Sequence, residues 1–161
     1  MIGVSEGLKE FQDLARKLLS QGYSQKELST RINNSVPVSI FSGSLSPLQA
    51  LVTYLKNVQQ QDYHTIAEIL NRHYKTVWTS HCKEGISYTD TTTYLPLHIF
   101  SGPLSVFEAI VWYLHLETKL KFSEIARLLN KDDRTVWTVW NRAKKKQKKE
   151  HEENSTANVG R

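Results

Sequence analysis

The sequence predicts an all-α fold of two tandem trihelical helix-turn-helix units, preceded by an N-terminal helical hairpin. Three observations support this prediction. Apolar residues recur at helical spacing in several segments of the chain. The segment 37–84 repeats without a gap at a shift of 59 residues, with 19 of 48 aligned residues identical. Each copy ends in two short helical patterns joined by a tight polar turn, which is typical of a helix-turn-helix.

The N-terminal segment, residues 1–35, is predicted to form the hairpin. Residues 5–20 form an amphipathic helix, and Gln21-Gly22 ends it because glycine tolerates a left-handed turn. A second short helix follows over 24–32. This hairpin is similar to the first half of a helix-turn-helix that has lost its reading helix, the second helix that enters the DNA groove. A hairpin that packs on its neighbour or dimerises is an equally open interpretation.

The two repeats occupy residues 36–84 and 96–146 and share one plan. Each starts with an apolar Pro-x-x-Ile-Phe segment, and Ser46 or Ser105 then caps the first helix. Three helices of this length can close a small core. The predicted core positions are Leu48, Leu51, Val52, Leu55, Ile66, Leu70 and Val77 in the first copy, and Phe107, Ile110, Val111, Leu114, Ile125, Leu129 and Val136 in the second.

Two segments outside the repeats lack helical periodicity. Residues 85–95 are rich in threonine and are predicted to be a linker, whose β-branched residues allow a short strand paired with the Pro-x-x-Ile-Phe segments. After Ala143 a run of lysines extends the last helix. Residues 147–161 are predicted to be a basic and polar disordered tail.

The second helix-turn-helix carries the chemistry of interest. Asn130 and Lys131 break the helical pattern, and Asp132 or Asp133 can cap the next helix. One stripe of that helix faces inward, and the other face offers side chains that donate to phosphates and base edges. The alternative is an amphipathic helix whose polar face is simply exposed to solvent, because such a face has the same types of residue. The predicted DNA-contacting residues of both copies are Lys75, Thr76, Thr79, Lys83, Arg134, Thr135, Thr138, Asn141, Arg142, Lys144 and Lys145.

Three tryptophans on these helices need separate interpretation. Trp78 and Trp137 directly follow the inward-facing valines, so they lie about 100° around the helix from the core stripe. Packing against the first helix or the other copy is favoured, and a position at the edge of a DNA groove is the alternative. Trp140 lies on the inward stripe and is predicted to belong to the core.

Composition narrows the class of protein. A formal net charge of +5 over 161 residues favours a polyanionic partner. The single cysteine, Cys82, allows neither a disulfide nor a cysteine-based metal site within one chain, and the six histidines lack metal-ligand spacing. Glycine-rich phosphate loops and paired catalytic carboxylates are missing from the sequence. We therefore expect no cofactor, metal site, catalytic residue or membrane span, and a cytoplasmic location with DNA association.

Four short motifs of the second copy carry a resemblance to a known family. They are Leu104-Ser-x-x-Glu-Ala, Phe122-Ser-Glu-Ile-Ala-x-Leu-Leu, Arg134-Thr-Val and Asn141-Arg-Ala-Lys-Lys. These motifs resemble the fourth conserved region of bacterial RNA polymerase sigma factors, whose helix-turn-helix reads promoter DNA. The resemblance implies DNA binding by this module. It does not imply an initiation factor, because the other sigma regions have no counterpart here. The tandem arrangement also resembles small regulators of archaeal type.

The predicted function is sequence-specific binding of double-stranded DNA through two tandem units, in a transcriptional regulator or a genome-organising factor. The alternative is a sigma-like adaptor that binds RNA polymerase or another regulatory protein through the helix-turn-helix surface. Because the copies follow one another head to tail, the sequence favours a direct-repeat DNA site for a monomer. A homodimer would add palindromic symmetry.

Overall fold

A computed structural model describes residues 13–22, 24, 34–89 and 91–157. Contacts within the chain divide it into two units, Met1–Ser35 and Val36–Arg161. In the first unit residues 13–20 are helical, and Gly22 follows with a φ of +92°. The predicted end of the first helix is thereby confirmed. The start of that helix and the predicted helix over 24–32 lie outside the described residues, apart from Ser24.

The second unit contains both sequence repeats and is mainly helical, which confirms the predicted all-α class. Within the described residues its only sheet has two short strands. The elements in chain order are β1 (Ser35–Pro37), the 3-10 helix η1 (Val38–Phe41), α1 (Pro47–Asn57), α2 (Tyr63–Leu70), α3 (Tyr74–Ser80), β2 (Tyr94–Pro96), the 3-10 helix η2 (Leu97–Phe100), α4 (Val106–Leu116), α5 (Phe122–Leu129) and α6 (Asp133–Ala157).

Capping residues fix where the helices of each copy begin and end. Ser46 and Ser105 form capping boxes at the starts of α1 and α4, as predicted. Asn71 and Asn130 end α2 and α5 in the left-handed conformation, with φ values of 47° and 51°. Asparagine adopts this conformation more readily than most residues, so it ends both helices at equivalent positions.

The core of the second unit is continuous through both copies. All predicted core positions are buried except Leu48 and Phe107, which are partly buried and pack against the rest. The fully buried residues at equivalent places include Leu55 with Leu114 and Val77 with Val136. The helical periodicity of the sequence therefore identified the inward faces correctly.

Equivalent segments of the two copies meet each other at the centre of this unit. β1 and β2 pair with one another. The amide of Val38, just after β1, donates to the carbonyl of Thr93, just before β2, at 3.0 Å. The end of one strand therefore lies beside the start of the other, and the strands run antiparallel. The rings of Phe41 and Phe100, also equivalent residues, contact each other with centroids 6.2 Å apart.

Contacts farther from the centre are reciprocal as well. The side-chain amide of Asn71 donates to the carbonyl of Ser101 at 3.3 Å, and that of Asn130 donates to the carbonyl of Ser42 at 3.4 Å. In the same way α2 packs on η2, and α5 packs on η1. Each of these contacts is returned by the equivalent residues of the other copy, which is the property of a two-fold arrangement.

A short strand lies at the end of the predicted linker, as the sequence allowed. β2 begins at Tyr94 and pairs with β1, which leads into the first Pro-x-x-Ile-Phe segment. One predicted boundary was wrong. The predicted disordered tail is helical as far as Ala157, since α6 continues through the lysine run. Ion pairs one turn apart, such as Lys148 with Glu152, support this extension. Among the described helices, none is both long and apolar enough to cross a bilayer.

Candidate nucleic-acid interface

The turn before α6 sets the direction of the helix that was predicted to read DNA in the second copy. Of the two candidate caps it is Asp132 that accepts the free amide of Thr135, at 2.8 Å, and its other oxygen accepts the Thr135 hydroxyl at 2.8 Å. These two hydrogen bonds hold the pKa of Asp132 below its usual range, because they favour the ionised carboxylate. The start of α6 is therefore fixed by a local contact that the sequence predicts.

An aromatic cluster holds the middle of α6 against the body. Trp140 stacks on Trp112 with ring centroids 4.9 Å apart and meets His115 edge-on at 4.6 Å. Phe122 lies 5.8 Å from the same ring. The prediction that Trp140 packs with the core is confirmed, although the ring is only partly buried.

Farther along, a buried carboxylate holds α6 on α4. Lys146 Nζ lies 2.7 Å from Glu108 Oε2, and Glu108 is only 6% exposed. The same carboxylate accepts the amide of Ser105 at 2.9 Å. Burial acts to raise the pKa of Glu108, but the hydrogen bonds from Lys146 and Ser105 outweigh it and leave the pKa lowered. This pair was not predicted from the sequence, because its residues are 38 positions apart.

The outward face of α6 carries a line of cations and hydroxyls. At about 100° per residue, Arg134, Thr138, Arg142 and Lys145 fall within roughly 80° of one another around the helix, and they extend over about 16 Å. We call these four residues the cationic stripe. The two arginines and Lys145 are exposed, and Thr138 is partly exposed. A shallow surface depression on α6 is lined by Arg134, Thr135, Thr138, Val139 and Arg142.

The lysine run divides into paired and unpaired members. Lys146 pairs with buried Glu108, while Lys148 and Lys149 lie 3.9 Å and 3.7 Å from glutamates one turn later. Lys144 and Lys145 are exposed and form no ion pair with any residue that the structure describes. Only these two lysines, both in the predicted set, are available to a polyanion without giving up an existing contact.

Some predicted base-reading groups are already engaged within the helix. The Thr138 hydroxyl donates to the carbonyl of Arg134 at 2.8 Å, and the Asn141 side-chain amide donates to the carbonyl of Trp137 at 2.9 Å. Such bonds to the preceding turn are common for short polar side chains in helices. Thr138 and Asn141 would have to exchange these bonds to donate to a base, whereas the arginines are free to donate.

The first copy presents a shorter reading helix. Lys75, Thr76 and Thr79 are exposed on α3, as expected, and the Thr79 hydroxyl donates to the carbonyl of Lys75 at 2.9 Å. Lys83 was placed on this helix by its equivalence to Arg142, and that placement is wrong. α3 ends at Ser80, so the exposed Lys83 belongs to the following turn.

Two contacts explain why α3 stops. The fully buried Thr53 accepts the amide of Cys82 through its hydroxyl at 3.0 Å, which draws the chain toward α1. The ring of His81 lies 3.0 Å from the Tyr63 hydroxyl and 3.0 Å from Asn57 Oδ1. With these partners occupied, the chain leaves the helical path immediately after Ser80.

Trp78 and Trp137 lie on the surface, contrary to the favoured prediction that they pack inside. Each is 57% exposed. The physical reason is that the neighbouring valines already fill the core, so a residue about 100° farther around the helix faces outward. A further surface aromatic, Tyr74, was not predicted from the sequence. It is 40% exposed at the start of α3 and stacks on His64 at 4.3 Å. Its place immediately before Lys75 was the available signal.

The remaining chemistry gives no sign of a metal site. Within the described ranges, no cluster of three His, Cys, Asp or Glu side chains could hold a metal ion. The lone Cys82 is partly buried beside the end of α3. The exposed polar and cationic faces of α3 and α6 are the two surfaces of interest. Comparisons with protein-family models, curated proteins and solved structures give no match to this chain.

Proposed function

We propose that this chain binds double-stranded DNA through the outward faces of α6 and α3, as a transcriptional regulator or a genome-organising factor. One observation carries the proposal. The cationic stripe lies on the helix that follows the capped turn between α5 and α6, and its charged side chains make no ion pair within the described chain. A surface of this kind gains free energy from a polyanion without breaking internal contacts.

The position of each cation along α6 suggests a separate role. In a helix-turn-helix, residues near the start of the reading helix contact base edges. Arg134 lies in the first turn, and its guanidinium can donate two hydrogen bonds to one guanine. Lys144 and Lys145 lie about three turns later and suit phosphate contacts, which fix position without reading sequence. The resemblance to sigma-factor helix-turn-helix units supports the same assignment.

The matched pairs in the lysine run allow a sharp test. Lys144→Ala/Lys145→Ala removes two unpaired cations, and Lys148→Ala/Lys149→Ala removes two that have glutamate partners. Both double variants change the net charge equally. We expect the first to flatten the slope of log affinity against log salt by about 1.8, since each phosphate contact contributes about 0.9. Fluorescence anisotropy with a labelled duplex measures the slope.

The paired lysines serve as the control and should leave the slope nearly unchanged. Equal flattening by both double variants would show that overall charge, and not this surface, governs binding. Absence of salt-dependent binding by the unmodified chain would overturn the proposal.

A second function is favoured by the exposed aromatic residues. Trp78 and Trp137 offer large apolar side chains to solvent, which is typical of protein-binding surfaces. A sigma-like adaptor would use them to bind RNA polymerase or another regulatory protein. Chromatography on immobilised DNA separates the two functions. Retention that falls steeply with salt supports DNA binding, and flow-through at low salt supports the adaptor.

A further inference from the structure

The relation between the two copies determines how their reading helices face DNA. If the two copies were related by translation, the first would contact the second through one surface, and the second would contact the first through a different surface. Here the contacts are returned, as Asn71 with Ser101 and Asn130 with Ser42 show. The copies are therefore related by an approximate two-fold rotation, although they follow one another head to tail in sequence.

The join between the copies is part of the hydrophobic core. Val36 and Leu95, at the middle of β1 and β2, are fully buried. Phe41 and Phe100 are buried and in contact. Because the core is close-packed, the copies cannot rotate freely about the segment that connects them. The relative orientation of the reading helices is a fixed property of the fold.

The same rotation relates the two reading helices. α3 and the first turns of α6 share the sequence Thr-Val-Trp-Thr at equivalent positions, in equivalent structures after equivalent turns. A duplex that contacts both copies at once must therefore offer them half-sites in opposite orientation, since duplex DNA has its own two-fold axes. A direct repeat, which the order of the copies in sequence favours, cannot match both helices in the same way.

We propose that one chain, acting as a monomer, reads an inverted-repeat DNA site with unequal half-sites. The inference rests on the proposed DNA binding. The half-site read by α6 is the stronger, because Arg134 and Arg142 both lie on its helix. The half-site read by α3 is the weaker, because Lys75 is the sole cation on that short helix and Lys83 lies beyond its end.

Selection of bound duplexes from a random pool, using the full chain, gives the first test. The expected consensus has inverted symmetry, with one half-site better defined than the other. Synthetic duplexes then compare the weaker half-site in its native and reversed orientations at one fixed spacing. Reversal should weaken binding about tenfold or more, and insertion of about five base pairs, half a helical turn, should have a similar effect.

A variant on the surface makes the result specific. Lys75 is exposed, so Lys75→Ala should leave the fold intact. It should also remove most of the difference in affinity between the native and reversed duplexes, because the chain would then read only the stronger half-site. Size-exclusion chromatography with light scattering should find one chain on one duplex.

The outcomes separate this inference from the proposed function. Salt-dependent binding with equal affinity for both orientations, a better fit to direct repeats, two chains on each inverted site, or two duplexes on one chain would overturn the inference alone. Absence of duplex binding would overturn the proposed function, and the inference with it.

Discussion

The two copies share one backbone plan, but they differ at several positions beside the third helix of each copy. In the first copy the position on α1 is Thr53, and its hydroxyl accepts the backbone amide of Cys82. In the second copy the equivalent residue on α4 is Trp112, which stacks on Trp140. Threonine leaves room for the chain to turn inward, whereas the stacked tryptophans fill that space and the helix continues.

The third helices of the two copies also differ greatly in length. α3 has 7 residues and α6 has 25. Beyond the tryptophan pair, the bond between Lys146 and Glu108 holds the extension, and the first copy has Ser87 and Gln49 at the corresponding positions. The second copy therefore has the longer third helix, and contacts made on the inward side of α4 and α6 hold it in place.

The surfaces differ in chemistry as well as length. The exposed side of the first copy is rich in aromatic rings, with Tyr74, Trp78 and His64 around Lys75. The second copy keeps Trp137 and adds the cationic stripe. We expect the second copy to supply most of the electrostatic attraction to DNA, and the first to contribute mainly through flat apolar contacts.

The largest expected effect is on stability, at the residue that stacks on Trp112. Trp140→Ala removes the stack on Trp112 and the contacts with His115 and Phe122. We expect a loss of about 2–3 kcal/mol in the free energy of unfolding, below the 3–5 kcal/mol of fully buried aromatic residues because the ring is partly exposed. Urea denaturation followed by circular dichroism measures it.

The matched variant at the equivalent position is His81→Ala. It removes two hydrogen bonds, with Tyr63 and Asn57, and should cost only about 1 kcal/mol because both partners can turn to solvent. If His81→Ala destabilises the chain as much as Trp140→Ala, the aromatic cluster is not what distinguishes the second copy.

Much of the fold was predictable from local patterns. Helical spacing identified the core faces, serines marked the starts of α1 and α4, and Asn130 marked the turn. These signals act within one or two helical turns, so a single sequence contains them. The repeat then allowed each feature of one copy to support the same feature of the other.

The features that were missed depend on residues far apart in sequence. The end of α3 is set by Thr53, which is 29 positions from Cys82. The two-fold relation is set by strands about 60 residues apart. The threonine-rich linker indicated that a strand was possible there, but no local pattern specifies that equivalent strands pair antiparallel. The candidate interface was predicted at the level of residue type, but Lys83 was misplaced because its position depended on a helix whose end was set elsewhere.

A smaller effect concerns binding and tests the difference between the reading surfaces. Arg134→Ala should weaken DNA binding by about 1–3 kcal/mol if its guanidinium contacts a base, and Lys75→Ala by about 1 kcal/mol. Both residues are exposed, so the free energy of unfolding should change by less than about 0.5 kcal/mol. Fluorescence anisotropy at moderate salt compares the affinities. Unchanged affinity in both variants would contradict specific readout of bases. A larger loss with Lys75→Ala would show that the first copy contributes more to binding than the second.

The smallest effect concerns the pair that holds the extension of α6. Glu108→Gln keeps an acceptor for the amide of Ser105, as Gln49 does for Ser46 in the first copy, and removes the charge opposite Lys146. We expect a loss of about 0.5–1 kcal/mol, a modest value because Lys146 is half exposed and solvent screens the pair.

The pH dependence of this loss provides the sharper test. The folded pKa of Glu108 is lowered, so its contribution is complete above the ordinary glutamate pKa of about 4.3 and disappears as the pH falls through the lowered value. The difference between the unmodified chain and Glu108→Gln should therefore be present at pH 7 and vanish in acid. Gln49→Glu is the matched control. It places a carboxylate at the equivalent position of the first copy, where Ser87 stands in place of the lysine partner. A difference that persists in acid would show that shape, and not charge, holds α6 on α4.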